Sequence, residues 1–380
     1  MHDFPKNTRN ATETRKHGIV ARVGQWYVRW ERPISSISLI SGFVFDAITL
    51  TRVDLFWENV WVLAHMLAVA VCIVLINFTE NMRLKGKDPE KVHFWLINIL
   101  QFFFGGILST FLVYYFRSGT ITVSWPFILI LAGAFVANER LKHHYSRLVF
   151  QVSLFFLSVF AFAIFIVPVI VHSIGPWIFI LCGVVSIAVI WLFILILRSA
   201  SHERFRKSKW PLLISLATIF ISINFLYFYN LIPPLPLSLK DGGIYHSLTV
   251  NAPGNYTVTS EPAAPWWDFF EIYKPVHIAT GTPLFAYTAV FSPAQFQFNV
   301  THEWQRYDTA TGQWITMARI PLGVAGGADG GWRTFSEIIP TLPGKWRVNV
   351  KTPGGAVIGR IDFAVIFSNS TPPLETSSID

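Results

Sequence analysis

A chain of 380 residues with 52% hydrophobic and only 14% charged side chains is too apolar for two or three water-soluble domains, in which about a quarter of residues are charged. Its mean hydropathy is +0.46; 34 Phe and 15 Trp exclude a disordered scaffold, and two cysteines, Cys72 and Cys182, both in apolar runs, exclude a disulfide-built secreted module. The net charge of +8 is unevenly spread: residues 1–231 hold 21 Lys and Arg against 11 Asp and Glu, and residues 232–380 hold 9 against 11. The basic excess falls between apolar runs, where it sets membrane topology rather than marking a nucleic-acid surface.

Residues 1–32 read as a cytoplasmic basic tail without the apolar core of a signal peptide. Ile19, Val23, Trp26 and Trp30 recur on one helical face among Arg22, Arg29 and Arg32, which predicts an interfacial amphipathic helix. Residues 33–230 read as an α-helical multi-span membrane domain with seven predicted transmembrane helices, at 34–50, 59–78, 94–116, 120–138, 148–171, 176–197 and 211–229. The first is the weakest, interrupted by four serines and Asp46. It is counted because the tail and the segments 80–92, 139–147 and 198–209 carry 7, 4, 3 and 5 Lys and Arg, whereas the alternate connections hold Arg52 and Arg117 alone. Seven crossings put all the richer segments on one side, with a cytoplasmic N-terminus and an exported C-terminus.

Residues 231–243 form a proline-rich linker, predicted to be stiff and extended, like polyproline II. Across 244–367 the hydrophobic period becomes two. Phe296, Phe298, Val300, His302 and Trp304 alternate with Gln297, Asn299, Thr301, Glu303 and Gln305; Trp346, Val348 and Val350 alternate with Arg347, Asn349 and Lys351. Short strands separated by Gly- and Pro-containing turns predict an all-β immunoglobulin-like sandwich, here extracytoplasmic. The Gly-rich stretch 323–331 reads as a flexible connection, and the Ser/Thr/Pro-rich tail 368–380 as disordered.

His302-Glu-Trp304, Trp332-Arg-Thr-Phe-Ser336 and Pro343-Gly-Lys-Trp-Arg-Val348 resemble a bacterial domain family of unknown function, DUF2914. The resemblance spans 284–367. It implies a domain found at the C-terminus of multi-span membrane proteins and implies no activity.

Nothing in the chain reads as a phosphate loop, a nucleophile elbow or a zinc-protease helix, which weighs against an enzyme, and no cofactor or metal is expected. His246, His277 and His302 are too far apart to form a spacing motif, and His302 falls on an apolar face as a core histidine. Asp46, with His65 at comparable depth on the next predicted span, is the candidate intramembrane polar site. Trp332, Arg333 and Ser336, with Trp266 and Trp267, are the candidate ligand-binding residues, because indole faces and an arginine fork suit sugars or carboxylates. The reading is of a bacterial cell-membrane protein with the lipid bilayer and a cell-wall glycan or envelope protein as partners, and no nucleic acid. Its exported sandwich binds without catalysis; the alternative is a transporter or membrane-embedded enzyme built on Asp46 and His65.

Overall fold

The computed structural model describes residues 40–50, 55–84, 90–118, 121–140, 142–252, 254–262, 272–293, 296–328, 330–370 and 372–379. The basic tail with its amphipathic helix, and Trp266 and Trp267, lie outside the described residues.

Among the described residues seven α-helices come first: α1 (Ile40–Thr49), α2 (Phe56–Leu84), α3 (Glu90–Ser118), α4 (Ile121–Arg140), α5 (Leu148–Val171), α6 (Pro176–Ala200) and α7 (His202–Phe228). Five of them, α2, α3, α5, α6 and α7, are long and apolar enough to cross a membrane. Seven such spans were expected, and the described residues do not provide them. Helix α1 has 10 residues, about 15 Å of rise against a hydrocarbon core of about 30 Å, and the apolar stretch of α4 covers Ser124–Asn138. The connection expected at 198–209 is also absent as a loop. Only Ser201 separates α6 from α7, so Arg204, Arg206, Lys207 and Lys209 ride on the first turns of α7.

Helix α5 is the most enclosed, packing on α6 and α7, while α2 packs on α3 and α3 on α4. The interior is aromatic, with Phe104, Phe111, Tyr115, Phe156, Phe160 and Phe165 fully buried. Leucine, isoleucine and tryptophan side chains such as Trp57, Trp61, Leu67, Trp177, Trp191 and Trp210 face outward, the arrangement a lipid surround favours. At the ends carrying the basic segments, Arg204 reaches inward to donate to Asn77 Oδ1 (3.0 Å) and the Ser146 carbonyl (2.7 Å), and Asn77 donates to Gln151 Oε1 (2.7 Å). This network ties α2, α5 and α7 together and satisfies polar groups that apolar surroundings would penalise.

The prolines after α7 do not form a free spacer. Ile232 and Leu235 are buried with the helical core, and Leu237 packs with Ile174, Val290, Val300 and Val350. Ser118 at the end of α3 donates to the Leu237 carbonyl, and His172 meets Phe296 edge-on. The β-rich C-terminal region therefore sits directly on the helix ends opposite the basic segments.

Among the described residues that region has eleven strands: β1 (Ser238–Tyr245), β2 (Ser247–Ala252), β3 (Asn255–Ser260), β4 (Lys274–Ile278), β5 (Leu284–Phe291), β6 (Gln297–Asp308), β7 (Gln313–Ala325), β8 (Trp332–Ile338), β9 (Gly344–Lys351), β10 (Val357–Phe367) and β11 (Glu375–Ile379). They form three sheets, ordered β1-β5-β8, β4-β10-β9-β6-β7 and β11-β3-β2. All pairings are antiparallel except β4 with β10. The linker expected to reach residue 243 gives way to β1 at Ser238, and the tail expected to be disordered carries β11, which pairs with β3 from Glu375–Ser260 to Ile379–Tyr256. Backbone pairing to a free strand edge organises a polar segment that has no hydrophobic pattern of its own.

Leu284 and Ala286 of β5 pack against Trp304, Trp346, Val348, Phe363 and Val365 of the five-stranded sheet. The other face of β5, with Tyr287 and Ala289, packs against Tyr256 of β3. The Gly-rich connection is pinned: Gly326 N–H donates to the Phe296 carbonyl (2.7 Å) and Gly327 N–H to Ser292 (3.0 Å), and β7 extends to Ala325. Gly331 has φ +90°, and a methyl there would lie 2.9 Å from the Ala289 carbonyl carbon. Glycine serves here for close backbone approach rather than for looseness.

Candidate functional site

Three groups of polar side chains stand out from these packing faces. The first holds Asp46 of α1, His65 of α2 and Ser109 of α3. The Asp46 carboxylate faces Ser109 of α3 and lies within electrostatic reach of the His65 imidazole. His65 Nδ1 is 3.0 Å from the Trp61 carbonyl, which only accepts, so Nδ1 carries the proton and Nε2 is turned over Gly106. Tyr114 donates to Glu58 Oε2 (2.5 Å), and Arg117 donates to the Ala47 carbonyl. Between His65 and the Asn77 network, α2 turns Val69, Cys72, Ile73 and Ile76 into the interior, so the two polar clusters are separated by an apolar stretch.

The second group corrects the expectation for β8. Trp332 and Arg333 are consecutive in a strand and take opposite faces, so they do not form one stacking and anion-binding surface. Trp332 is exposed, whereas Arg333 interacts with Tyr287 on the other face. Ser336 is 4% exposed and unavailable to a ligand. Its hydroxyl meets His302 Nδ1 (2.8 Å) and accepts from Trp304 Nε1 (3.0 Å); His302 Nε2 meets Thr288 Oγ1 (2.9 Å), which meets Thr334 Oγ1 (3.1 Å). His302 is a fully buried, hydrogen-bonded core residue, and burial pushes its pKa down to about 4.

The third group is the outer face of the five-stranded sheet, which the polar positions of the β6 and β9 alternation occupy. Register aligns it in rows across the strands. One row is Arg319 (β7), Glu303 (β6), Asn349 (β9) and Arg360 (β10); the next is Thr316, Gln305, Arg347 and Asp362; beyond it Tyr307 pairs with Trp314 and Lys345 with Ala364. Glu303 is 2% exposed although it lies on the outer face. It accepts from Arg319 Nε (3.0 Å) and Asn349 Nδ2 (3.3 Å) and is ion-paired with Lys351. Burial raises the Glu303 carboxyl, but the hydrogen bonds from Lys351 and Arg319 outweigh it and hold the group below the usual carboxylate range. Arg347 Nε donates to Gln305 (2.7 Å) while its guanidinium lies 4.1 Å from the Trp314 ring centre; burial and the neighbouring Arg360 lower its pKa to about 10. Arg360 Nε donates to Asn349 Oδ1 (2.7 Å). The alternation of polar and apolar residues marked this face in the sequence, but cross-strand register was needed to align its arginines.

The fold also gathers His246 and His277, which spacing had left apart, on Glu261: His246 Nε2 is 3.3 Å from one carboxylate oxygen and His277 Nδ1 2.9 Å from the other. Among the described residues no group of three or more His, Cys, Asp or Glu is placed to hold a metal ion. A cavity of about 410 Å³ opens where the helices meet the β region, lined mainly by apolar groups including Phe179, Cys182, Tyr227, Leu235 and Pro353.

No curated protein matches the chain. Among solved structures, it is similar to a β-glucosidase from Listeria innocua (12% identity, TM-score 0.20, covering 30% of this chain and 16% of the glucosidase). It is also similar to an immunoglobulin-like protein from Pseudomonas aeruginosa (14% identity, TM-score 0.20, covering 35% and 98%) and to an alkylpurine DNA glycosylase from Pseudomonas fluorescens (10% identity, TM-score 0.20, covering 83% and 99%). The chain thus spans about a sixth of the glucosidase's length. Residues 297–365, from the start of β6 to near the end of β10, match the family described as a protein of unknown function, DUF2914.

Proposed function

We propose that this is a bacterial cytoplasmic-membrane protein whose helices anchor an extracytoplasmic immunoglobulin-like β-sandwich, and that the sandwich binds a partner of the cell envelope without catalysing a reaction. The observation that carries this reading is the seating of the β region on the helix ends at Ser118, His172 and Ile174, away from the segments 80–92, 139–147 and 198–209. Those segments hold 12 Lys and Arg and belong in the cytoplasm by the positive-inside rule, which leaves the β region on the other side. The packing of β5 on the five-stranded sheet supports the sandwich assignment. An alkaline-phosphatase fusion at residue 240 is active under this reading and one at residue 141 is inactive; the reverse pattern overturns it.

The electrostatic proximity of Asp46 to His65 favours a second reading, in which the helices move protons or cations. Asp46→Asn is nearly isosteric and does not ionise. Under the anchoring reading, complementation of a deletion strain and membrane abundance are both unchanged. Abundance kept with complementation lost establishes the transport reading instead.

A further inference from the structure

We propose that the outer face of the five-stranded sheet binds an acidic glycan, a saccharide polymer bearing carboxylate or phosphate groups. The proposal deepens the reading of the β region as an exported binding module and rests on it. Three arginines are the core of the site. Arg319, Arg347 and Arg360 are each anchored through Nε, to Glu303, Gln305 and Asn349 respectively, at 3.0, 2.7 and 2.7 Å. Anchoring through Nε leaves the two Nη groups of each guanidinium pointing away from the anchor. Arg319 is 68% exposed, and the Asp362 carboxylate lies within electrostatic reach of Arg347 and Arg360. A guanidinium edge is the donor pair that carboxylates and phosphates accept in bidentate fashion. The anchors themselves are buried, at 2% exposure for Glu303, 8% for Gln305 and 2% for Asn349, so the arginines are held before any ligand arrives.

The charge on this face is unbalanced in the same sense. Arg319, Lys345, Arg347, Lys351 and Arg360 share it with two carboxylates, Glu303 and Asp362. Burial first, and then the neighbouring Arg360, lower Arg347, while Asp362 beside both arginines offsets part of that repulsion. Spacing argues for a polymer rather than a single ion. Arg319 and Arg360 occupy the ends of one four-strand row, about 14 Å apart at the usual strand separation, with Arg347 one row on. Beyond these rows Trp314 meets Tyr307 edge-on at 5.3 Å and lies 4.1 Å under the Arg347 guanidinium, so the indole helps to orient that arginine. A nucleic acid fits less well, because residues 232–380 carry 9 Lys and Arg against 11 Asp and Glu and project no long-range positive field.

The test uses the full-length protein in detergent, immobilised, with polygalacturonate and poly(glycerol phosphate) as anionic probes, dextran as the neutral one and a single-stranded DNA oligonucleotide. At least one anionic glycan binds, more weakly as salt rises, and dextran does not. The double variant Arg319→Gln/Arg360→Gln weakens that binding about tenfold or more, and Arg347→Lys, which keeps the charge and loses the fork, weakens it severalfold. Thermal midpoints accompany every measurement; should the double variant melt early, Arg319→Lys alone decides, since it keeps a charge beside buried Glu303 and loses only the fork. Absence of binding to both anionic polymers at low salt overturns the proposal, as does tighter binding to DNA or undiminished binding by a stably folded variant. The fusion assay separates the two readings: a β region found on the cytoplasmic side, with glycan binding intact, removes the exported module and leaves the site.

Discussion

Replacing His302 by Gln exchanges a buried imidazole for a side chain that hydrogen-bonds but does not titrate. In the folded protein His302 is held neutral between Thr288 and Ser336, with a pKa of about 4, whereas in the unfolded chain it returns to about 6.5. As pH falls below 6.5 the unfolded chain takes up a proton that the folded one refuses. Stability is therefore lost progressively down to about pH 4, below which both states are protonated and the loss levels off. The interval corresponds to about 3 kcal/mol at about 1.4 kcal/mol per pH unit, a large part of the margin of a domain of this size. Glu261 and Glu303 are held below their usual values; their contributions are lost only as pH falls below about 4.5, at the lower end of the His302 window. Urea unfolding followed by tryptophan fluorescence, on the full chain in detergent from pH 7 to 4, measures the effect. The wild type loses about 3 kcal/mol across the window and His302→Gln, though less stable at pH 7, stays nearly flat. Parallel pH profiles for the two proteins refute the assignment of His302 as a neutral core residue.

Trp346→Ala empties a site that is 1% exposed and removes the Nε1 bond to the Leu342 carbonyl, so a loss of about 3–5 kcal/mol is expected in the same unfolding assay. Lys345→Ala, on the outer face beside it, stays within about 0.5 kcal/mol; Lys351 is unsuitable as that neutral comparator because it ion-pairs with buried Glu303. Gly331→Ala combines a φ of +90° with a methyl 2.9 Å from Ala289, and a thermal midpoint lowered by several degrees is expected; an unchanged midpoint contradicts the pinned connection.

Some of this was legible in residue order alone and some was not, for reasons that particular residues show. The β6 and β9 alternation placed Trp304, Trp346 and Val348 inward correctly, because period two is a local property of any half-buried strand. Strand β5 gave a weaker signal, since both of its faces are covered and Leu284, Ala286, Tyr287 and Ala289 are all buried. Trp332 and Arg333 looked like one site because they are neighbours in sequence, which in a strand is the arrangement that separates side chains. Ser336 looked free because the residues it bonds, His302 and Trp304, lie more than thirty positions away.

Composition and hydropathy by themselves determined that a helical, lipid-compatible part precedes a β-rich part, since the bilayer sets a minimum length for an apolar helix and a packed sheet sets an alternation of two. Tertiary structure alone decided that the prolines after α7 are packed rather than free, that β11 completes an edge, and that Glu261 joins His246 to His277. It alone aligned Arg319, Arg347 and Arg360 over their buried anchors. Each of these depends on strand register or on the meeting of distant segments, and neither leaves a local pattern along the chain.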